Sequence, residues 1–185
     1  MKHAIRGACL GATLAAAILA ACGEGRIIFN VDVLSFLSAD QGDTVHYLVP
    51  GGLGGTVDNP PIEATILDLA GAVVESVTVT VAADVENATG SGQVAFQIFF
   101  SDNAGSLYSG TPYAADTAVV TGADTVTLAP PPIPFGADTV FSNEKLWIGV
   151  RASVAANAGP ALEGTLRLSQ LRLRVVLNDD DVIDP

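Results

Sequence analysis

The chain has 185 residues, of which 20 are acidic and eight basic, and its formal net charge is −12. So acidic a protein is a poor partner for nucleic acid and for anionic lipid. Its two cysteines, Cys9 and Cys22, both lie near the amino terminus. Residues 23–185 therefore contain no thiol for disulfides, metal binding or catalysis.

Residues 1–22 have the layout of an export signal. Lys2 and Arg6 precede 14 uncharged residues, 8–21, which end on small side chains. A bilayer-spanning helix needs about 20 apolar residues, so this run is too short to remain as a span and cleavage is expected. The residues Leu19-Ala20-Ala21-Cys22 resemble the lipobox of bacterial lipoproteins, in which signal peptidase II cuts before the cysteine and the thiol is lipidated. The resemblance covers residues 1–22 only.

The resemblance implies a lipid-anchored protein of the bacterial cell envelope, with an ordinary cleaved signal peptide as the alternative. Acyl chains such as palmitate on Cys22 would hold the protein at the membrane without a spanning helix, since each buried methylene contributes about 0.8 kcal/mol. Gly23 stands where lipoproteins retained in the inner membrane have aspartate. The outer membrane is therefore favoured if the organism has two membranes.

The rest of the chain predicts one all-β domain. Residues 22–25 would be the lipidated cysteine with a short tether, 26–178 the domain and 179–185 an acidic tail. Apolar segments alternate with period two, and Val and Thr favour strands. We predict an antiparallel β-sandwich, immunoglobulin-like or jelly-roll-like, with about seven to ten strands and no long helix.

The first part of the domain contains three predicted strands, at 26–37, 44–49 and 62–69. Turn residues at 39–43 separate the first two, and a glycine-rich loop follows at 50–61. That loop lacks the Gly-Lys-Ser/Thr of a phosphate-binding loop, so a flexible connection is the preferred interpretation.

The clearest alternation spans 73–85 and resumes at 94–100. Turn residues at 87–92 lie between the two segments, so the pattern predicts a β-hairpin. Asn87-Ala88-Thr89 in this turn also matches a glycosylation acceptor, but in a bacterium we interpret the match as chance.

The segment 102–113 predicts a long loop of the kind that carries binding residues on a rigid scaffold. In a ligand-binding interpretation, Tyr108 and Tyr113 would stack on a sugar ring. The preferred interpretation is that they pack the loop onto the sandwich. Asp58 and Asp102 complete the candidate ligand-binding set, and they would supply carboxylates if calcium takes part. No other cofactor is predicted.

An Asp-Thr motif recurs where turns enter strands, at Asp43-Thr44, Asp116-Thr117, Asp124-Thr125 and Asp138-Thr139. Asp side chains accept backbone hydrogen bonds at such positions, so we interpret the motif as turn chemistry and not as calcium ligation. The proline run 130–134 predicts a sheet edge or a crossover, and 146–154 predicts another strand.

The final predicted strand, 165–177, changes phase. Leu166 and Leu168 lie at even positions, whereas apolar residues from Leu171 onward lie at odd ones. A one-residue bulge at Ser169-Gln170 would keep them all on one inward face. Three arginines then point outward: Arg167, Arg172 and Arg174. Pairing with acidic neighbours such as Asp32 is preferred to contact with anionic headgroups or to protection of a sheet edge.

Candidate catalytic groups are few. His46 is the single histidine after cleavage, no Gly-x-Ser-x-Gly is present, and the acidic tail lacks the glycine and glutamate of an EF-hand. We therefore predict a protein that is not an enzyme. The predicted function is a lipid-anchored structural or protein-interaction module with another envelope protein as partner. The alternative is a surface module that binds glycans, with or without calcium.

Overall fold

A computed structural model describes residues 27–39, 42–65, 73–137, 139–143 and 145–178. The predicted signal peptide, the lipidation site Cys22 and the acidic tail lie outside these residues and stay predictions. Within the described ranges, no helix is long and apolar enough to cross a membrane.

The described residues form eleven strands, one short α-helix and two 3-10 helices. The strands are β1 (Ile27–Asp32), β2 (Thr44–Val49), β3 (Gly54–Asp58), β4 (Ile62–Thr65), β5 (Val73–Thr89), β6 (Ser91–Ser101), β7 (Ala114–Thr121), β8 (Asp124–Leu128), β9 (Ile133–Phe135), β10 (Lys145–Ala156) and β11 (Leu162–Asn178). The α-helix α1 is Leu34–Ala39, and the 3-10 helices are Ala104–Ser109 and Thr139–Ser142.

The strands form two antiparallel sheets, which confirms the predicted β-sandwich. In the first sheet β5 and β11 are central, with β1 and β2 beside β11 and with β8 and β9 beside β5. In the second sheet β6 and β10 are central, with β3 and β4 beside β10 and with β7 beside β6. Pro60 and Pro61 separate β3 from β4, and prolines at 130–132 separate β8 from β9. Because proline cannot donate a ladder hydrogen bond, it divides these edges into short strands and raises their number.

The core lies between the two sheets and follows the predicted alternation. In β5, Val77, Val79 and Val81 are buried, and Phe96 and Ile98 of β6 face them within one apolar cluster. Each fully buried side chain of this size contributes about 1.5–3 kcal/mol relative to an exposed one. Hydrophobic burial therefore holds the two sheets together.

The predicted hairpin at 73–100 is wrong, because β5 and β6 belong to different sheets. β5 pairs with β8, β9 and β11, whereas β6 pairs with β7 and β10. The chain crosses at Gly90, whose φ of 77° favours glycine. Alternation specifies which side of a strand is buried, but it does not specify which strand lies beside it. Two consecutive strands satisfy it equally well when they face each other across the core.

Two further predictions need correction. The predicted strand 26–37 ends at Asp32, and α1 follows, with Val33 and Leu37 both buried. Residues four apart lie on one face of a helix, so this pair suits a helical turn better than a strand. The predicted loop 50–61 contains β3, an edge strand whose residues 54–58 pair with β10.

The bulge in β11 is present where the sequence predicts it. Leu168 pairs with Ala83 and Gln170 with Ala82, so Ser169 is the extra residue. Leu166 and Leu173 consequently share the buried face. Two of the three outward arginines lie beside acidic residues: Arg172 is directly opposite Asp32, and Arg167 Nε is 3.6 Å from Oδ2 of the buried Asp43. Arg174 is opposite Asn30 and Thr78 instead.

The sandwich has two ends, which we name by residues they contain. The β1 end is where β1 and β10 begin and where β6 and β11 finish. The Gly90 end contains the crossing from β5 to β6, where Gly122 N donates to Gly90 O at 2.7 Å, and the connection from β10 to β11.

Candidate ligand-binding cleft

The 102–113 segment wraps around the β1 end of β6. Phe99 and Phe100 are consecutive in β6 and therefore point to opposite faces of the second sheet. Tyr108 packs edge-on against Phe99, with ring centroids 5.3 Å apart, and Tyr113 packs against Phe100 at 5.2 Å. The two tyrosines consequently lie on opposite faces of the sheet and do not form one stacking platform.

On the outer face, Arg151 of β10 binds Asp58 of β3 with a two-pronged ion pair. Nε donates to Oδ1 at 2.5 Å and Nη2 donates to Oδ2 at 2.8 Å. The guanidinium carbon is also 5.1 Å from the Phe99 ring centroid and 4.9 Å from that of Tyr108. The hydrogen bond with Asp58 raises the pKa of Arg151. The forked hydrogen bonds and the cation–π contacts both hold the Arg151 guanidinium in this position.

The ring and the hydroxyl of Tyr108 are both held by contacts with the sheet. Its hydroxyl donates to Asn59 O at 2.5 Å, and burial, with a smaller contribution from the Asp58 charge, raises the pKa of Tyr108 to about 12. A Cβ at Gly149 would lie 2.7 Å from the Tyr108 ring, so glycine is needed for this close approach. Asp58 and Tyr108 thus fasten the segment to the sheet. Asp102 is exposed at the start of the segment.

A cleft of about 590 Å³ opens between the 102–113 segment and β9. We call it the Tyr113 cleft. Its lining consists of Phe100, Ser101, Ser106, Leu107, Ser109, Gly110, Thr111, Pro112, Tyr113 and Phe135. None of these side chains carries a charge at neutral pH. The polar groups at its surface are hydroxyls, and the aromatic groups come from β6, from the segment and from β9.

Three phenylalanine rings pack around Tyr113. Its ring centroid is 4.9 Å from that of Phe135 and 5.5 Å from that of Phe141, and Phe141 in turn packs on Phe100 at 5.3 Å. The Tyr113 backbone N–H donates to Ile98 O at 2.8 Å. Offset and edge-on ring pairs of this kind stabilise one another. The aromatic side of the cleft is therefore held in place before any ligand arrives.

A second, more open concavity of about 570 Å³ lies at the Gly90 end. Glu86 and Asp124 line it beside the buried Asn87. The Asn87 amide is used internally: Nδ2 donates to Gly122 O at 2.5 Å, and Oδ1 accepts from the Tyr47 hydroxyl at 3.2 Å. Because Nδ2 also donates to Gly90 O at 3.3 Å, Asn87 ties the crossing at Gly90 to the turn between β7 and β8.

The candidate metal and catalytic residues do not converge. Throughout the described ranges, no three His, Cys, Asp or Glu side chains lie close enough together to hold a metal ion. His46 is exposed on β2, with Nδ1 3.2 Å from Thr165 Oγ1. Asp116 and Asp124 each accept the N–H of the following threonine at 2.8 Å, as the turn interpretation of the Asp-Thr motif expects. Asp138, in the fourth copy, lies outside the described residues.

Arg151 and Phe135 are not among the site residues predicted from the sequence. Arg151 is the one charged residue in the interior of β10, at an outward position, and Phe135 follows the proline run 130–134. A charge inside a strand and an aromatic residue beside a sheet edge are the signals that point to them. Of the four candidate ligand residues, only Tyr113 lines the cleft.

No protein-family model and no curated protein matches the sequence. Among solved structures, the chain is similar to that of infectious bursal disease virus Gx strain, with 10% identity, a TM-score of 0.46 and coverage of 85% of this chain and 33% of that one. The chain thus spans about a third of the viral protein's length. It is also similar to TmCBM61 in complex with beta-1,4-galactotriose, with 14% identity, a TM-score of 0.32 and coverage of 82% and 88%. A CBM4 structure shows 12% identity and a TM-score of 0.29, with coverage of 82% and 86%. These likenesses are too distant to carry a function to this chain.

Proposed function

We propose that the protein is a lipid-anchored β-sandwich of the bacterial envelope that binds a neutral saccharide in the Tyr113 cleft. The lipobox-like residues 19–22 support the anchor. The observation that carries the binding role is the composition of the cleft, which combines an aromatic wall with a rim of hydroxyls and has no charged side chain among the lining residues that the structure describes.

A pyranose ring matches these features. Its C–H groups pack against an aromatic side chain, and its hydroxyls exchange hydrogen bonds with serine and threonine. Ser109 and Thr111 are exposed beside the half-buried Tyr113. An anionic or cationic ligand would lose hydration without gaining a counter-charge. The volume is within the usual range for small-molecule sites, about 300–1,000 Å³.

Binding without catalysis is part of the proposal. Among the described residues, the cleft lining contains no histidine, carboxylate, lysine or cysteine, the side chains that supply most general acid–base catalysis. Calcium is not required by this proposal, because hydroxyls and aromatic rings, and not carboxylates, provide the contacts.

The test is a screen of the purified, detergent-solubilised protein on an array of immobilised neutral and acidic saccharides. We expect binding to neutral members, a loss of about tenfold or more in the double variant Ser109→Ala/Thr111→Ala, and no change in Thr121→Ala. Thr121 is equally exposed but lies at the Gly90 end of β7. Absence of binding to every neutral saccharide, or equal binding by both variants, would refute the proposal.

A protein-interaction role is the second candidate. The observation that favours it is the exposure of three apolar side chains toward the Gly90 end, Leu48 at 65%, Leu53 at 58% and Val119 at 69%. A photo-crosslinking amino acid at Leu53 or Val119 in living cells would capture one envelope protein if that end docks a partner. The same probe at Thr111 is the control, and identical capture from both ends would count against a specific dock.

A further inference from the structure

We infer that the Tyr113 cleft faces the membrane that holds the anchor, and that its ligand is the sugar headgroup of a neutral glycolipid in that membrane. This inference rests on the proposed function, both on lipidation at Cys22 and on saccharide binding in the cleft. It adds the orientation of the domain and the source of the sugar.

The first step is the length of the tether. β1 begins at Ile27, five residues after Cys22. A fully extended chain spans at most about 3.6 Å per residue, so the Ile27 backbone lies within about 18 Å of the lipidated residue. The β1 end therefore cannot move far from the membrane surface.

The second step is the position of the cleft relative to β1. Phe29 pairs with Val175, Val175 with Val77, and Val77 with Phe135. These four residues form one row across the first sheet. With strands about 4.8 Å apart, Phe135 is about 14 Å from Phe29. Because Phe135 lines the cleft, the cleft and the tether are at the same end of the sandwich.

The third step is the distance between the two ends. Exposed apolar side chains occur at both, Ile27 and Ile28 at the β1 end and Leu48, Leu53 and Val119 toward the Gly90 end, so they do not set the orientation. β10 runs between the ends for 12 residues, a distance of about 40 Å at the usual strand rise.

The fourth step concerns the ligand. A headgroup in the same bilayer is confined within reach of a short tether, so its effective concentration at the cleft far exceeds that of a dissolved sugar. The described residues of the lining are uncharged, and the chain without its signal has a formal balance of −14, from six basic and 20 acidic residues. Both features disfavour an anionic headgroup and favour a neutral one.

The experiment compares glycolipid in the same bilayer as the protein with glycolipid in separate vesicles. The lipidated full-length mature protein is reconstituted into phosphatidylcholine vesicles that contain monoglucosyl or monogalactosyl diacylglycerol, or plain diacylglycerol as the control. Gly110 of the cleft lining is replaced by cysteine and labelled with an environment-sensitive fluorophore, because nothing lies within 4 Å of a Cβ at this position. The fluorescence of the Gly110→Cys label reports occupancy, and light scattering reports clustering when the glycolipid is in other vesicles.

We expect a change in the fluorescence of the Gly110→Cys label with glycolipid in the same bilayer, none with diacylglycerol, and no clustering of separate vesicles. Thr111→Ala should raise the glycolipid fraction needed for half the response about tenfold, and Thr121→Ala should not change it. Clustering would show that the cleft faces outward, which overturns this inference and leaves saccharide binding intact. A response to diacylglycerol alone also overturns it. If neither glycolipid changes the fluorescence, the inference is overturned too. The saccharide array then tests the proposed function by itself.

Discussion

Arg151 holds three parts of the chain together. Its guanidinium forms the ion pair with Asp58 of β3 and contacts Phe99 of β6 and Tyr108 of the 102–113 segment. Its side chain is 22% exposed, so the pair is partly shielded from solvent. Because the segment forms one wall of the Tyr113 cleft, a contact on the outer face of the sheet positions a binding surface on its other side.

Replacing Arg151 should loosen that attachment. We expect Arg151→Ala to lower the free energy of unfolding by about 1–2 kcal/mol, a value reduced for the partial exposure of Asp58. Arg151→Lys should recover little of the loss, because an ammonium lacks the forked geometry. Urea denaturation measures both, with the exposed Arg174→Ala as the control. Full recovery by lysine would show that charge alone matters here.

Two tyrosines with raised pKa values make the free energy of unfolding depend on pH in the alkaline range. Burial raises the pKa of Tyr47 and of Tyr108 to about 12 from an ordinary value of 10.0. Their contribution to stability is therefore complete below pH 10 and is lost as the pH rises towards 12. For the buried Tyr47 the loss reaches about 2–3 kcal/mol. Unfolding free energies between pH 9 and 12 should fall less steeply in Tyr47→Phe, and an unchanged slope would contradict this assignment.

β11 is a central strand of the first sheet and pairs with three other strands. β11 pairs with β5 along most of its length and also with β1 and β2. Its bulge at Ser169 keeps leucines from both phases on the buried face. Without the bulge, Arg172 and Arg174 would share the face of Leu166, and two guanidiniums would be buried among apolar side chains.

The two sides of β11 should therefore respond differently to truncation. Leu173 is 1% exposed, whereas Arg172 is exposed. We expect Leu173→Ala to leave a cavity and to cost about 2–5 kcal/mol, and Arg172→Ala to cost less than about 1 kcal/mol. Urea denaturation of the two variants is the measurement. An equal or larger loss at Arg172 would mean that the buried face is assigned wrongly.

The crossing between the sheets can be tested with two glycines of similar conformation. Gly90 and Gly52 have φ values of 77° and 79°. A Cβ at Gly90 would collide with Ala161 O, whereas nothing lies within 4 Å of a Cβ at Gly52. Gly52→Ala should cost about 1–2 kcal/mol from its backbone conformation alone. Gly90→Ala should cost clearly more, and equal melting temperatures for the two variants would refute the tight crossing.

The molecule as a whole has two distinct ends. The β1 end combines the start of the domain, two exposed isoleucines and the Tyr113 cleft. The Gly90 end combines the chain crossings, the Asn87 hydrogen bonds and an acidic concavity. A short tether would keep the β1 end near the membrane and the Gly90 end away from it.

The anchor itself is tested by Cys22→Ser. We expect the variant to leave the membrane fraction for a soluble or precursor pool, while the circular dichroism of its domain stays that of a β-sandwich. An alkyne fatty acid supplied to the cells should label the wild type and not the variant, since the thiol carries the acyl group. Labelling that survives the substitution would remove the lipoprotein interpretation.

Features whose cause lies within a few residues follow from the sequence. Period-two alternation identified the buried side of β2, β5, β10 and β11, because each side chain's direction follows from its place in the strand. The phase change at 168–171 located the bulge for the same reason. The proline run predicted a sheet edge or a crossover between sheets, and the edge is what forms, because β8 and β9 both lie beside β5 in one sheet.

The pairing of strands and the cleft depend on residues far apart in the chain, and local periodicity does not encode them. β5 and β6 are consecutive, yet one pairs with β11 and the other with β10, because facing across the core buries their apolar sides as well as a hairpin would. The aromatic wall likewise joins Phe100, Tyr113 and Phe135 only after the two sheets have packed. The amino-acid sequence alone therefore determined the β-rich domain, its buried faces and a predicted anchor. The arrangement of the sheets, and with it the site, follows from long-range packing.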